Sequence, residues 1–592
     1  MDRHENHSAM SKILLIGGLG HTDLSGKVPR PGLLMLRQAV RQAGHEAQVS
    51  NYSARLLPRL FPPAQVDRLA RIYERSLKPL VIDGKKTRWH EQPRQAWDLH
   101  QLRQLSRELA EIEKNTFQEV AAEIAAEVRA EKFDAVGFSM YVGSSTTGAI
   151  TIAEILKQEM PELPIIFGGP QTTSFTETIF QKTSAPTALV LGEGELALTG
   201  IMNIIDSLKA GRLSDLSQVP NVAYRNANGK VVITARERLP FKDWVNISQT
   251  PYEASDFDGL MKYAFIETSR GCSFLCRFCP QPLLSGRQRY LKPAQVIVEE
   301  MVRLNQNFGI SHFELVGSST PPAQAEKIAK ELIARGLENS FSWVLFMRGK
   351  DERDRGQEMD TIMAKMKRAG ASAIFFGVEA AEDQTLAKMG KNETIEEIRA
   401  SMLAAKRSGI ATIGSFIYPY PGMPANEGDL IIDLLKEVKP LSAPVQALGL
   451  YPGTYDAEHA EEIGCEILYP DKNDQMQYFA GRKPKATLKS QEVLRYLLTY
   501  PLILSLPMRF WPPLPYNIDS QPYAQYIKAV NKLQKRIGEL GILTGFSHSH
   551  HLISQVLKLS PKELFERIFY LSLSGDPQAT RALIDRFNSP QA

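Results

Sequence analysis

Three cysteines stand together near the middle of the chain, in Glu267-Thr-Ser-Arg-Gly-Cys272-Ser-Phe-Leu-Cys276-Arg-Phe-Cys279-Pro280. Their spacing is CxxxCxxC. An odd count at such short separations does not make a disulfide framework, because close neighbours seldom reach bridging geometry. The set reads instead as metal ligands. A structural zinc site needs a fourth cysteine or histidine nearby, and Gln281 to Leu291 supplies none. Three soft thiolates on one loop suit a cubane iron-sulfur cluster whose fourth iron is left to a ligand other than protein.

With Phe278 directly before the last cysteine, this loop resembles that of the radical SAM superfamily. The resemblance implies a 4Fe-4S cluster on Cys272, Cys276 and Cys279, with Phe278 beside the cofactor. Its open iron would chelate the amino and carboxylate groups of S-adenosylmethionine, so that one electron releases a 5′-deoxyadenosyl radical. The alternative is a structural or electron-relay cluster, which normally has all four irons held by protein. Cys465 is the remaining cysteine for that role, but it lies far downstream in Glu461-Glu-Ile-Gly-Cys465-Glu and reads as a free, half-buried thiol.

The rest of the composition sets bounds. A chain of 592 residues has material for three or four domains. Lys plus Arg of 70 against Asp plus Glu of 66 is too balanced for a nucleic-acid footprint. Four cysteines without a disulfide-like array fit a reducing cytoplasm. Residues 1–10 are polar, lack a signal-peptide core and read as a disordered lead-in. The most apolar window, Tyr496 to Pro515, is broken by Pro501, Pro507 and Arg509, short of the roughly 20 apolar residues of a membrane span. Burial in the fold is the simplest reading, with a lid over a greasy substrate or a monotopic membrane contact as the alternative.

The elements that must position the cysteine loop begin with an α/β module. Lys12 to Ile16 reads as a buried parallel strand ending at Gly17-Gly18, and a helix starts at Pro31-Gly32 and stops at Gly44. A strand over Glu46 to Tyr52 precedes a polar helical insertion at 53–130, whose stripe Leu105, Leu109, Ile112, Phe117, Val120, Ile124 and Val128 predicts core contacts. Further strands are expected at Phe133 to Ser139, Leu163 to Phe167 and Thr187 to Leu191. Ligands of open parallel sheets bind outside the carboxyl ends of the strands. Gly17, Gly18, Ser139, Gly168, Gly169, Gly192, Glu193 and Gly194 should therefore rim one site. Neither GxGxxG nor GxxxxGK[ST] is present, which speaks against NAD and P-loop readings.

Phe167-Gly-Gly-Pro170 and Gly192-Glu-Gly-Glu195, placed ahead of the cysteine loop, resemble the cobalamin-binding domain of one radical SAM branch. The resemblance covers about residues 11–230 and implies a Rossmann-like (flavodoxin-like) cobalamin domain. The DxHxxG motif that supplies a lower cobalt ligand elsewhere is absent, and Gly20-His21-Thr-Asp23-Leu-Ser-Gly26 has the wrong order, so His21 reads as a loop residue. Cobalt without that donor would favour low coordination and ready access to Co(I).

A hairpin-like stretch over Val222 to Ile233, whose Asn228-Gly229 is a type I′ signal, runs into a connector at 231–257. Strands near 264–269, 311–316, 342–347, 373–378, 411–416 and 445–450 then alternate with helices, a partial (β/α)6 TIM-like barrel over 258–455. Barrel chemistry sits at the carboxyl ends of strands. Arg348, Tyr418 and Tyr451 are the catalytic candidates, and Ser318, Glu379 and Ser415 join Phe278 as cofactor contacts. Gly377-Val-Glu379 resembles the family segment that meets the ribose or amino group of S-adenosylmethionine, and Arg348 would suit its carboxylate or the substrate. Glu267 and Arg270 read as structural ties.

A mainly helical domain is expected over 456–592, where His548, His550 and His551 read as a solvated loop. The whole resemblance implies a cobalamin-dependent radical SAM methyltransferase that moves a methyl group from methylcobalamin to an unactivated carbon of a small-molecule or lipid-like substrate. A cyclase, ring-contraction or rearrangement enzyme with the same cofactors, and a non-radical methyl transfer, are the alternatives. An external donor such as flavodoxin or ferredoxin would supply electrons.

Overall fold

The run Ile13-Leu-Leu-Ile16 shows how the first layer is built. Leu14 and Ile16 enter one core, while Ile13 and Leu15 enter the opposite one, as the two-residue period of a strand covered on both faces requires. The computed structural model describes residues 10–19, 29–52, scattered positions between 56 and 68, 93–465 apart from short internal stretches, and part of 532–542.

Strands β1 (Lys12–Gly17), β2 (Glu46–Asn51), β3 (Ala135–Ser139), β4 (Ile165–Gly168), β5 (Ala188–Val190), β6 (Val222–Arg225) and β7 (Val231–Ile233) form one sheet in the order 2-1-3-4-5-6-7. The first five are parallel and the last two antiparallel. The order 2-1-3-4-5 is that of flavodoxin-like sheets, with the strand order reversing between β1 and β3. One face is covered by the 39-residue helix Pro93–Glu131. Its expected stripe is inside: Leu105, Leu109, Phe117, Val120, Ile124 and Val128 are all buried, and Ile112 packs at the edge. Helices Pro31–Gln42 and Glu195–Asn203 cover the other face through Leu33, Val40, Leu198 and Ile201.

Two details correct the sequence reading. The β6–β7 loop is not a type I′ turn, because only Gly229 has positive φ; Asn226 pairs with Lys230 around a three-residue loop. In addition, β7 pairs with β6 as the last strand of the first sheet, so a boundary at residue 230 would cut through a hairpin.

The second sheet contains β8 (Ala264–Arg270), β9 (Tyr290–Leu291), β10 (His312–Gly317), β11 (Ser342–Met347), β12 (Ala371–Glu379), β13 (Ala411–Ile417) and β14 (Val445–Gln446), in the order 14-13-12-11-10-8-9. All six anticipated parallel strands are present, although the last is two residues long rather than six. The addition is β9, antiparallel to β8 through Ser269–Leu291 and Arg270–Tyr290. It ties the base of the segment holding the three cysteines. Edge strands β14 and β9 leave the barrel open, and its strands and helices enclose a single core that includes Trp343, Phe376, Ile398 and Leu435.

The bulk of 466–592 lies outside the described residues, and with it the window 496–515, Phe510, Trp511, His548, His550 and His551; the same holds for His21 and residues 1–9. Cys465 is buried in the barrel core, where burial and Asp456 push its thiol up to about 11. Among the described residues no helix is long and apolar enough to cross a membrane.

The two sheets are joined through a buried ion pair. Arg37, on the helix Pro31–Gln42, donates two hydrogen bonds to Asp256 at 2.7 and 3.1 Å, and both side chains are 3% exposed. Removing one partner of a buried pair leaves the other charge uncompensated. Arg37→Met is therefore expected to lower stability by about 3–5 kcal/mol. In denaturant unfolding monitored by tryptophan fluorescence, the double variant R37M/D256L should regain most of that loss.

Candidate active site

The cysteine loop leaves the carboxyl end of β8 through Gly271, whose φ of 73° and closeness to the Gln288 carbonyl admit no side chain: an added Cβ would stand 2.2 Å from that oxygen. The three cysteines are half-buried. Backbone N–H groups of Phe274 and Gln281 donate to the sulfurs of Cys272 and Cys279 respectively, but burial dominates, raising the Cys272 thiol and pushing Cys279 up to about 12. Such thiols ionise when metal replaces the proton. Among the described residues no three His, Cys, Asp or Glu side chains converge to hold a single ion. A cubane places each thiolate on its own iron, so the loop fits that larger group better than it fits zinc.

Below the loop, the barrel encloses a cavity of about 490 Å³ lined by Phe278, Cys279, Phe346, Phe375, Glu379, Ser415, Gln446 and Tyr451, among others. Phe346 and Phe375 stack at 5.1 Å on neighbouring strands. Glu379 ends β12 at a bulge with φ of 69°, a left-handed conformation that a non-glycine residue adopts at a cost. Burial raises its pKa, opposed by Lys391 and Arg348. A strained, buried carboxylate in this position suits a cationic amine or ligand hydroxyls.

Of the barrel residues singled out from sequence, Phe278, Glu379, Ser415 and Tyr451 meet in this cavity. Three others do not. Arg348 turns toward the back of the cysteine loop, where its guanidinium pairs with Glu393 at 2.8 Å and lies 3.7 Å over the Phe274 ring. Tyr418 leans on the helix Glu427–Val438, its hydroxyl 3.1 Å from where a Cβ on Gly428 would stand. Ser318 faces a second cavity instead. Strand-end position alone does not say which way a side chain turns.

That second cavity, about 320 Å³, lies between the two sheets at the β1/β3 switch point. Its walls include Ser139, Gly168, Gly169, Gly192, Glu193 and Gly194 from the first sheet, and Ser269, Arg270, Gln281, Ser285, Gly317 and Ser318 from the second. Gly17 and Gly18 are not in the lining; Gly17 instead lies under Leu33, which is. Gly169 has φ of 105°, and a Cβ there would stand 2.5 Å from the Met140 carbonyl.

Acidic and basic side chains gather at one end. Arg270 donates to Glu195 at 2.6 Å and to Glu267 at 3.0 Å, and Trp244 donates to Glu267 at 2.7 Å. Glu267 and Arg270 thus act as ties. Glu193 lies 3.6 Å from Arg238 and 3.9 Å from Arg270, yet among the described residues neither of its buried oxygens accepts a hydrogen bond. Burial, with repulsion from Glu195 and attraction to Arg270 competing, pushes it up to about 7. Small residues that admit a flat group, beside unsatisfied acceptors, fit a corrin edged with amide donors.

Residues 266–435 match the Radical SAM superfamily, and residues 101–202 match the B12 binding domain. The chain thus carries a radical SAM domain with a B12-binding domain ahead of it. It is similar to an uncharacterized methyltransferase of Pyrococcus horikoshii, 27% identical over 54% of this chain and 67% of that one. It also resembles an anaerobic magnesium-protoporphyrin IX monomethyl ester cyclase of Rubrivivax gelatinosus, 27% identical over 45% of this chain and 47% of the relative. The chain therefore spans about half the length of the second relative. The solved radical S-adenosylmethionine methyltransferase TsrM of Kitasatospora setae, with cobalamin and a [4Fe-4S] cluster bound, superposes with a TM-score of 0.59 at 14% identity, covering 94% of this chain and 99% of that one. At that identity the likeness is one of fold.

Sequence reasoning missed Arg30, Gln281, Leu284 and Ser285 as cavity walls. No spacing marks them, because they approach from loops and from the short helix Gln281–Ser285. Glu193 offers a test of the electrostatics. Its folded pKa lies above the usual 4.5, so the folded state holds the proton more tightly. The resulting stability is fully present below about pH 4.5 and is lost as pH rises through about 7. Unfolding free energies of the cofactor-free chain from denaturant titration should fall across this window by on the order of 2–3 kcal/mol more in the wild type than in Glu193→Gln.

Proposed function

We propose that this chain is a cobalamin-dependent radical S-adenosylmethionine methyltransferase acting on an unactivated carbon of a small-molecule or lipid-like substrate, supplied with electrons by flavodoxin or ferredoxin in a reducing cytoplasm. One observation carries the reading. A single short stretch walls both cavities: Phe278, Cys279 and Pro280 face the barrel cavity, while Gln281, Leu284 and Ser285 face the cavity between the sheets. Tyr451 stands at the same junction, its hydroxyl raised by burial and influenced by Tyr141 on one side and Cys279 on the other. A substrate at this junction reaches both sites.

Cys272, Cys276 and Cys279 would hold the cluster, and the Gly-lined cavity the cobalamin. When bound, the cluster with S-adenosylmethionine supplies hydrogen-atom abstraction, and the cobalamin supplies the methyl group. The protein's part is placement and exclusion of water. Glu379 would accept hydrogen bonds from the amine or ribose of S-adenosylmethionine, and Ser415 and Gln446 would offer further polar contacts in the same cavity. Phe278, Phe346, Phe375 and Tyr451 give the cavity an aromatic wall, and burial there would limit side reactions of a radical with solvent. Glu193 would accept from corrin amides, and the glycines would let the backbone come close to the ring.

Anaerobic reconstitution with iron, sulfide and hydroxocobalamin, followed by mass spectrometry under reduction, tests the proposal. The expected result is one bound cobalamin together with both 5′-deoxyadenosine and S-adenosylhomocysteine. Cys276→Ala should bring 5′-deoxyadenosine to the background rate while cobalamin binding persists. Deoxyadenosine without methylated product would favour the ring-forming alternative. Cluster formation without cobalamin uptake would overturn the assignment of the first domain.

A further inference from the structure

The three cysteine sulfurs are not equivalent. Cys272 and Cys279 each receive a backbone N–H, from Phe274 and Gln281. The Cys276 sulfur receives a side chain: Nη1 of Arg348 donates to it at 3.5 Å. Arg348 is 6% exposed, and both terminal nitrogens of its guanidinium are engaged, while among the described residues its Nε has no hydrogen-bond partner. Its Nη2 donates to the Lys391 carbonyl and pairs with Glu393 at 2.8 Å, while its plane lies 3.7 Å over Phe274, two residues after Cys272.

The partners form a second platform under the cysteine loop. The Arg277 amide donates to the Met389 carbonyl at 2.8 Å, and Gly390, with φ of 66°, fits so closely that a Cβ there would stand 2.7 Å from the Leu275 carbonyl. Glu393 is 1% exposed on its side chain and also accepts from the Lys350 amide at 2.9 Å. The segment 389–393 therefore fixes Arg348, and Arg348 fixes one sulfur. A buried cation donating to a ligand sulfur stabilises added negative charge there, and hydrogen bonds to sulfur are among the levers that set an iron-sulfur potential.

We propose that Arg348 is a positioning residue that raises the reduction potential of the cluster through its N–H contact to Cys276, with Glu393 and the Lys391 carbonyl holding it in place. This rests on the reading of Cys272, Cys276 and Cys279 as cluster ligands. Its consequence is that an ordinary one-electron donor reduces the cluster more readily than backbone donors alone would allow.

The test uses the full chain, reconstituted anaerobically with iron and sulfide alone, in the wild type, R348M and R348K. Iron per chain is measured first, then the midpoint potential by a redox titration followed through the paramagnetic signal of the reduced cluster. In R348M the equilibrium constant for reduction should fall about tenfold, a shift of about 59 mV to more negative potential. R348K should also shift negative, by less: a lysine ammonium is drawn to Glu393 and lacks the planar fork that spans carboxylate, carbonyl and sulfur together. Either variant carrying wild-type iron at the wild-type potential overturns the proposal. If R348M fails to load iron, R348K decides by the same criterion. A wild-type chain that forms no cluster overturns the underlying reading instead.

Discussion

A buried arginine at the seam of the two sheets holds the site together. Arg270 is the last residue of β8, two positions before Cys272, and it reaches across to Glu195 at the start of a helix of the first sheet. Glu267 binds its other side, and Trp244 lies beneath it. Buried charges persist only when paired, and here the pairing partners come from different halves of the molecule. The cysteine loop is therefore positioned by the first sheet as much as by the barrel that carries it.

Around this contact the architecture is one of loops tied at both ends. The antiparallel pairing of β8 and β9 closes the base of the cysteine segment, and the 389–393 segment supports its far side. The inner walls are aromatic and the strand ends glycine-rich, so the two cavities differ in character. One is walled by glycines and flanked by the carboxylates Glu193, Glu195 and Glu267; the other is lined by phenylalanines together with Glu379, Ser415 and Gln446. The short helix Gln281–Ser285 contributes Gln281, Leu284 and Ser285 to one of them, directly after Phe278, Cys279 and Pro280 have lined the other.

Much of this was legible in the residues. The apolar run at Lys12, the stripe on the long helix and the six barrel strands each express a local periodicity that burial enforces, and they were placed to within a few residues. The glycine turns at 168–169 and 192–194 were readable for a similar reason, since their left-handed φ values at Gly169 and Gly192 admit little else. Less legible were residues whose role depends on direction. Arg348, Tyr418 and Ser318 all lie at or just past strand ends, yet one supports a cysteine, one packs on a helix and one faces the neighbouring sheet.

The sequence by itself determined the chemistry: three thiols at CxxxCxxC spacing, the order of an α/β module before a barrel, and the glycines at strand ends. These follow from short-range rules of ligand spacing, side-chain period and backbone sterics. The tertiary structure alone decided that Glu195 meets Arg270, that Glu393 meets Arg348, and that one stretch of eight residues, 278–285, walls two cavities. Those contacts join positions 75 and 45 residues apart. No local pattern encodes them, because the first arises only where the two sheets meet and the second only where two loops of the barrel pack together under the cysteine segment.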